Sequence, residues 1–132
     1  MDDLVRWLRA VLDDEAAAQG RPETAWHRRD CGSLPDVLYP GQETGACDCG
    51  VPAQALRELG AKRQLLDDYM VTARIRDEAA ARIKAAGDRP DPQDLDTWDR
   101  AQREAAILEG SVKLAASPLA DRPGYRAEWR PE

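Results

Sequence analysis

With 132 residues, 33% of them charged and a formal net charge of −6, the chain is sized for one modest hydrophobic core and not for two. Its negative balance works against attachment to phosphate backbones or anionic lipid, so neither nucleic acid nor a membrane surface is expected as a partner. Aromatic residues are only 5% of the chain and Phe is absent, which leaves Leu, Val, Ile and Ala to build that core.

The opening Met-Asp-Asp-Leu-Val-Arg carries no basic n-region, and no run approaches the roughly 18 apolar residues of a membrane span. A cytoplasmic location is therefore expected. Asp2 and Asp3 are candidate N-caps, and Leu4, Leu8, Val11 and Leu12 follow at helical spacing, predicting a first helix over residues 1–20 that stops at Gly20. From 21 to 51 the periodicity vanishes. Short extended-looking pieces, Thr24 to Arg28, Val37 to Tyr39 and Thr44 to Cys47, fit a small β-hairpin or an irregular loop.

Pro52 suits the first turn of a helix, and only Gly60 weakens the helical reading from there to Ala86. The apolar stripe of this long second helix is not straight. Leu56, Leu59, Leu66, Met70 and Ala73 share one side, while Ile75, Ala79, Ile83 and Ala86 fall roughly 130° further round. A bend near Val71 to Arg74, or two halves with different partners, would reconcile them. Gly87-Asp88-Arg89-Pro90-Asp91-Pro92 is a stop, turn and restart, with Asp91 as N-cap and Pro92 in the first turn. The third helix, 92–116, places Trp98, Ala101, Ala105, Leu108, Val112 and Ala115 at alternating spacings of three and four, the a and d positions of a coiled-coil seam. The short connection makes the second and third helices antiparallel neighbours. Residues 117–132 form a tail whose Tyr125 and Trp129 fold back onto the base of the hairpin. The expected fold is mainly α and a single domain: a long antiparallel helical hairpin, an N-terminal helix, and an irregular or β-hairpin segment between helices one and two.

The sharpest chemical signal lies in that segment. His27, Cys31, Cys47 and Cys49 include every cysteine and the one histidine of the chain. Three cysteines without an export signal do not make a disulfide framework, and imidazole with three thiolates is a complete tetrahedral set for Zn²⁺. The spacings His-x3-Cys and Cys-x-Cys are not the usual knuckle, so three incidental thiols and a surface or half-buried histidine remain the alternative. Cys49, three residues before Pro52, is also placed for a helix dipole to favour its thiolate. Other chemistry finds little support. Asp13, Asp14 and Glu15 are adjacent and fan around a helix, a single histidine leaves no Ser-His pair away from the cysteines, and there is no phosphate-cradling glycine loop. No catalytic residues are assigned, and an enzyme is not expected.

Asp2-Asp3-Leu4-Val5, Trp26-His27, the run Pro52-Ala53 through Leu56-Arg57-Glu58 to Ala61-Lys62-Arg63, and the ending Pro123-Gly124-Tyr125-Arg126 with Glu128-Trp129 together resemble a family of small uncharacterised proteins of GC-rich Gram-positive bacteria and their phages. The Pro-Gly-Tyr-x-x-Glu-Trp ending is the most specific part of that likeness. It implies a genomic setting and no particular activity. The sequence therefore supports a non-enzymatic accessory protein that binds a protein partner, or itself, through its helical hairpin. The alternative is a zinc-stabilised regulatory module built on His27, Cys31, Cys47 and Cys49.

Overall fold

The computed structural model describes residues 1–21, 23–36, 38, 39 and 41–131. Among these residues three α-helices, α1 (Asp2–Gln19), α2 (Val51–Ala86) and α3 (Pro92–Ala116), form the framework, with 3-10 turns at Ser117–Leu119 and Ala127–Trp129. Among the described residues there is no strand. The segment between α1 and α2 takes the irregular form of the two that were open, and Val37 of the expected 37–39 piece lies outside the described residues. No helix among the described residues is long and apolar enough to cross a membrane.

The chain divides into two compact units, Met1–Arg9 with Lys62–Glu132, and Ala10–Ala61. The first holds the helical hairpin. Gly87, at a φ of 60°, makes the left-handed turn that an L side chain resists. Asp91 then restarts the chain, its carboxylate accepting the Gln93 N–H at 2.8 Å. That cap satisfies one of the donors a helix start leaves open. Just beyond the turn the Arg82 guanidinium donates to Asp94 at 2.8 Å, tying α2 to α3.

Helix α2 turns out to need no bend to bury its hairpin face. Leu66, Tyr69, Thr72 and Ala79 are its buried residues, and the half-buried Ala73, Arg76, Ala80 and Ile83 extend the same stripe. The stripes read from sequence are corrected here, because Met70 and Ile75 are 49% and 41% exposed. Choosing only the most apolar residues hid a face that also uses Thr72, the stem of Arg76 and a tyrosine.

The heptad on α3 also needs adjustment. Ala101, Ala105, Val112 and Ala116 are buried, whereas Trp98 is 38% exposed. Asp94, Thr97 and Leu108 are half-buried, so the inward positions run 94, 97, 101, 105, 108, 112 and 116. Their mean spacing is close to 3.6. A straight helix drifts by about 20° per heptad from a strict seven-residue repeat, and over this length the drift carries Trp98 out at one end and replaces Ala115 by Ala116 at the other.

The C-terminal tail packs its aromatic side chains against Trp7 of α1. Ring centroids of Trp7, Tyr125 and Trp129 lie 5.4–5.8 Å apart, within the range where tilted and edge-to-face rings attract. The Trp7 indole N–H donates to the Pro123 carbonyl at 2.9 Å. Gly124, at a φ of 85°, leaves the Trp7 ring no room for a Cβ, which would sit 3.1 Å from it. Arg126 lies over Trp129 and pairs with Asp3 at 3.0 Å.

Candidate metal centre

The second unit holds the four candidate ligands, and two turns bring them together. In the first, the Cys31 N–H donates to the Arg28 carbonyl at 3.0 Å and the Leu34 N–H to the Cys31 carbonyl at 3.0 Å, so the chain doubles back on either side of the Cys31 thiol. The second carries Cys47 and Cys49 and is stitched to the first: the Gly45 N–H donates to the Gly32 carbonyl at 2.8 Å, and the Gly32 N–H to the Asp48 carboxylate at 3.0 Å. A Cβ on Gly45 would stand 3.3 Å from the Gly32 oxygen. Glycine at this crossing permits the close approach of the two turns. Upstream, the buried Gln19 side chain accepts the Trp26 N–H at 3.0 Å, holding the residue before His27.

The ligand geometry is specific. From His27 Nδ1 the sulfur atoms of Cys31, Cys47 and Cys49 lie at 3.4, 3.4 and 3.7 Å. Cys47 Sγ is 3.7 Å from both Cys31 Sγ and Cys49 Sγ, and all four atoms lie within 4.8 Å of one another. A tetrahedral Zn²⁺ with Zn–S near 2.3 Å and Zn–N near 2.05 Å requires edges of about 3.8 Å between sulfurs and about 3.5 Å between sulfur and nitrogen. These five edges match those figures to about 0.2 Å. The sulfurs are also far outside the bonding distance of a disulfide, roughly 2.05 Å, and all three cysteines are free thiols.

Burial and hydrogen bonding differ among the three thiols. Cys31 is buried, Cys49 is half-buried and Cys47 is exposed. The Ser33 hydroxyl, 3.1 Å from Cys31 Sγ, is the largest of several donors that pull the Cys31 thiol down from 9.0 to about 6; the others are the Ser33, Asp48 and Cys49 N–H groups. Cys49 is also lowered, first by the Arg28 N–H and then by that of Val51. The Val51 donor belongs to the first residue of α2, the helix start suspected of favouring this thiolate. Cys47 is raised, because desolvation outweighs its one backbone donor from Cys49. His27 is raised, chiefly by its hydrogen bond with Cys49. The Asp48 carboxyl is lowered, first by the Gly32 N–H. Thiolates that accept N–H and O–H donors are the form a metal takes up.

All four residues singled out in the sequence therefore converge on one point, and they are the one group of described residues arranged to hold a metal ion. Asp13, Asp14 and Glu15 form no such group. Ser33 and Asp48 escaped the sequence reading. Their signal was positional: small or polar residues beside the cysteines, in Cys31-Gly32-Ser33 and Cys47-Asp48-Cys49, where side chains brace the turn that presents a ligand.

A family model described as a family of unknown function (DUF6221) matches residues 1–131. Comparison with curated proteins and with solved structures gives no match.

Proposed function

We propose that this chain, which belongs to the DUF6221 family, is a non-enzymatic binding module whose segment between α1 and α2 is organised by a structural zinc ion held by His27 Nδ1 and the thiolates of Cys31, Cys47 and Cys49. The observation that carries this reading is the set of five ligand-to-ligand distances between 3.4 and 3.7 Å. Three soft thiolates with one imidazole select zinc over hard cations. Four protein ligands complete the coordination and leave no position for a substrate or an activated water, which favours a structural over a catalytic metal.

The composition of the segment says why it needs an ion. Between Gly20 and Gly50 the one described residue in the hydrophobic core is Cys31 itself. A stretch that buries so little cannot offset the entropy of ordering its backbone, roughly 1–2 kcal/mol per residue. Coordination supplies the missing free energy, since metal binding in such domains is coupled to folding. Three large apolar side chains of the segment stand open to solvent: Trp26 is 61%, Leu38 81% and Tyr39 61% exposed. Exposed aromatic side chains of this kind suit a protein partner.

Metal analysis of protein purified without added zinc tests the reading. One equivalent of zinc per chain is expected, with thiols that resist titration until a chelator is added. Less than about a third of an equivalent, with all three thiols reacting freely, would overturn it. A second docking surface is supported by the hairpin unit, where Met70, Val71 and Ile75 on α2 and Ile107 and Leu114 on α3 are 41–70% exposed. Light scattering at high protein concentration reads whether these residues drive self-association. A strict monomer would remove that option and leave a heterologous partner.

A further inference from the structure

The three sulfurs are not equivalent, and their differences point to a second property of the centre. Cys47 is the exposed ligand, whereas Cys31 is buried and Cys49 half-buried. Oxidation of a thiolate depends on access by the oxidant as well as on charge. Cys47 is the most accessible of the three, and it lies 3.7 Å from each of the other two sulfurs.

Resting on the zinc reading above, we propose that the centre is a peroxide-responsive switch in which Cys47 is oxidised first and then bridges to Cys31, releasing the metal. The Cys47 thiolate attacks one oxygen of hydrogen peroxide; the O–O bond breaks, hydroxide leaves, and Cys47 becomes a sulfenic acid. The Cys31 thiolate then attacks the Cys47 sulfur, forming the disulfide and expelling a second hydroxide. Two thiolates have lost one electron each, one peroxide has gained two, and two protons from solvent convert the hydroxides to water. The zinc ion, left with His27 and Cys49, dissociates. Cys31 is the favoured resolving partner because a bridge between Cys47 and Cys49 would close a tight ring across one intervening residue, which disulfide geometry tolerates poorly. Cys31 approaches from the other turn and carries no such restraint. With the metal gone, the segment that displays Trp26, Leu38 and Tyr39 loses its organising bond, and partner binding becomes sensitive to peroxide.

The test uses the full chain, loaded with zinc and assayed for metal content before any oxidant is added. Hydrogen peroxide is then titrated in while a metallochromic dye reads released zinc, alkylation counts remaining thiols, and peptide mapping locates the bridge. One zinc released for every two thiols lost, a Cys31–Cys47 bridge, an alkylatable Cys49, and reloading after a dithiol reductant with zinc are expected. Histidine is itself a zinc ligand, so Cys47→His should keep the metal and slow its release by about tenfold or more, whereas Cys49→His should release it as readily as the parent. Release from Cys47→His at the parental rate, or a map dominated by a bridge between Cys47 and Cys49, overturns the proposal. Should a histidine variant fail to hold zinc, the bridge map of the parent chain decides alone. A parent chain that takes up no zinc defeats the zinc reading and the switch together; a zinc-loaded chain indifferent to peroxide defeats only the switch.

Discussion

Replacing Ser33 by alanine is the most searching single perturbation of the candidate centre, because it leaves every ligand in place. The Ser33 hydroxyl, 3.1 Å from Cys31 Sγ, is the largest of the influences that bring this thiol from 9.0 to about 6. A group whose folded value is depressed favours its ionised form fully above the unperturbed value and loses that advantage as pH falls through the folded one. At pH 7 a thiol titrating near 6 is about 90% thiolate and one titrating near 9 about 1%. Zinc must displace whatever proton remains, so loss of the whole shift would weaken zinc binding at pH 7 by about 90-fold. Ser33 supplies the largest part but not all of it, and a weakening of roughly 10- to 90-fold is expected, in the range of other groups that orient metal ligands. Competition against a chelating dye at pH 7 and again above pH 9 measures it. The deficit should shrink to about twofold or less at the higher pH, where both thiols are ionised. A deficit that is absent at pH 7, or that persists unchanged at high pH, would refute the account of Ser33 as a thiolate donor.

Stripping the metal should raise amide exchange at Cys31, Leu34 and Gly45, whose N–H groups are held by the two turns, while Ala105 and Val112 on α3 keep their protection; equal deprotection of both sets would show that the ion does not act locally. Val112→Ala, at a position with no exposure, removes two methyl groups from the hairpin seam and should cost about 2–3 kcal/mol, roughly 8–12 °C in Tm by circular dichroism. Ile107→Ala, at a site 70% exposed, should stay within about 0.5 kcal/mol of the parent, and similar costs for the two would contradict the observed register of α3. Asp91→Ala removes the cap on the Gln93 N–H and should destabilise by about 1 kcal/mol in urea unfolding, with Asp91→Asn recovering most of it.

The local elements were legible because their causes are local. Proline in the first turn of α2 and α3, the Asp91 cap and Gly87 at the turn act over a few residues, and they place the helices within a residue or so of their expected bounds. The candidate ligands were legible as a chemical set for a similar reason: three thiols and one imidazole have few uses in common other than a metal. Spacing alone could not say that they meet. That depends on Gly32 and Gly45 crossing at 2.8 Å and on Asp48 closing the turn, a pairing of segments that leaves no periodic trace.

Which face each helix buries was likewise decided by packing. Residue hydropathy ranks Met70, Ile75 and Trp98 as core candidates, yet they are exposed at 38–49%, while Thr72, Tyr69 and three alanines of α3 line the seam. Two helices joined by a short turn choose the faces that let their backbones approach, and small side chains satisfy that condition better than large ones. Hydrophobicity along the chain thus determined that helices would form and pair. The geometry of close approach, a property of two surfaces at once, determined which residues meet.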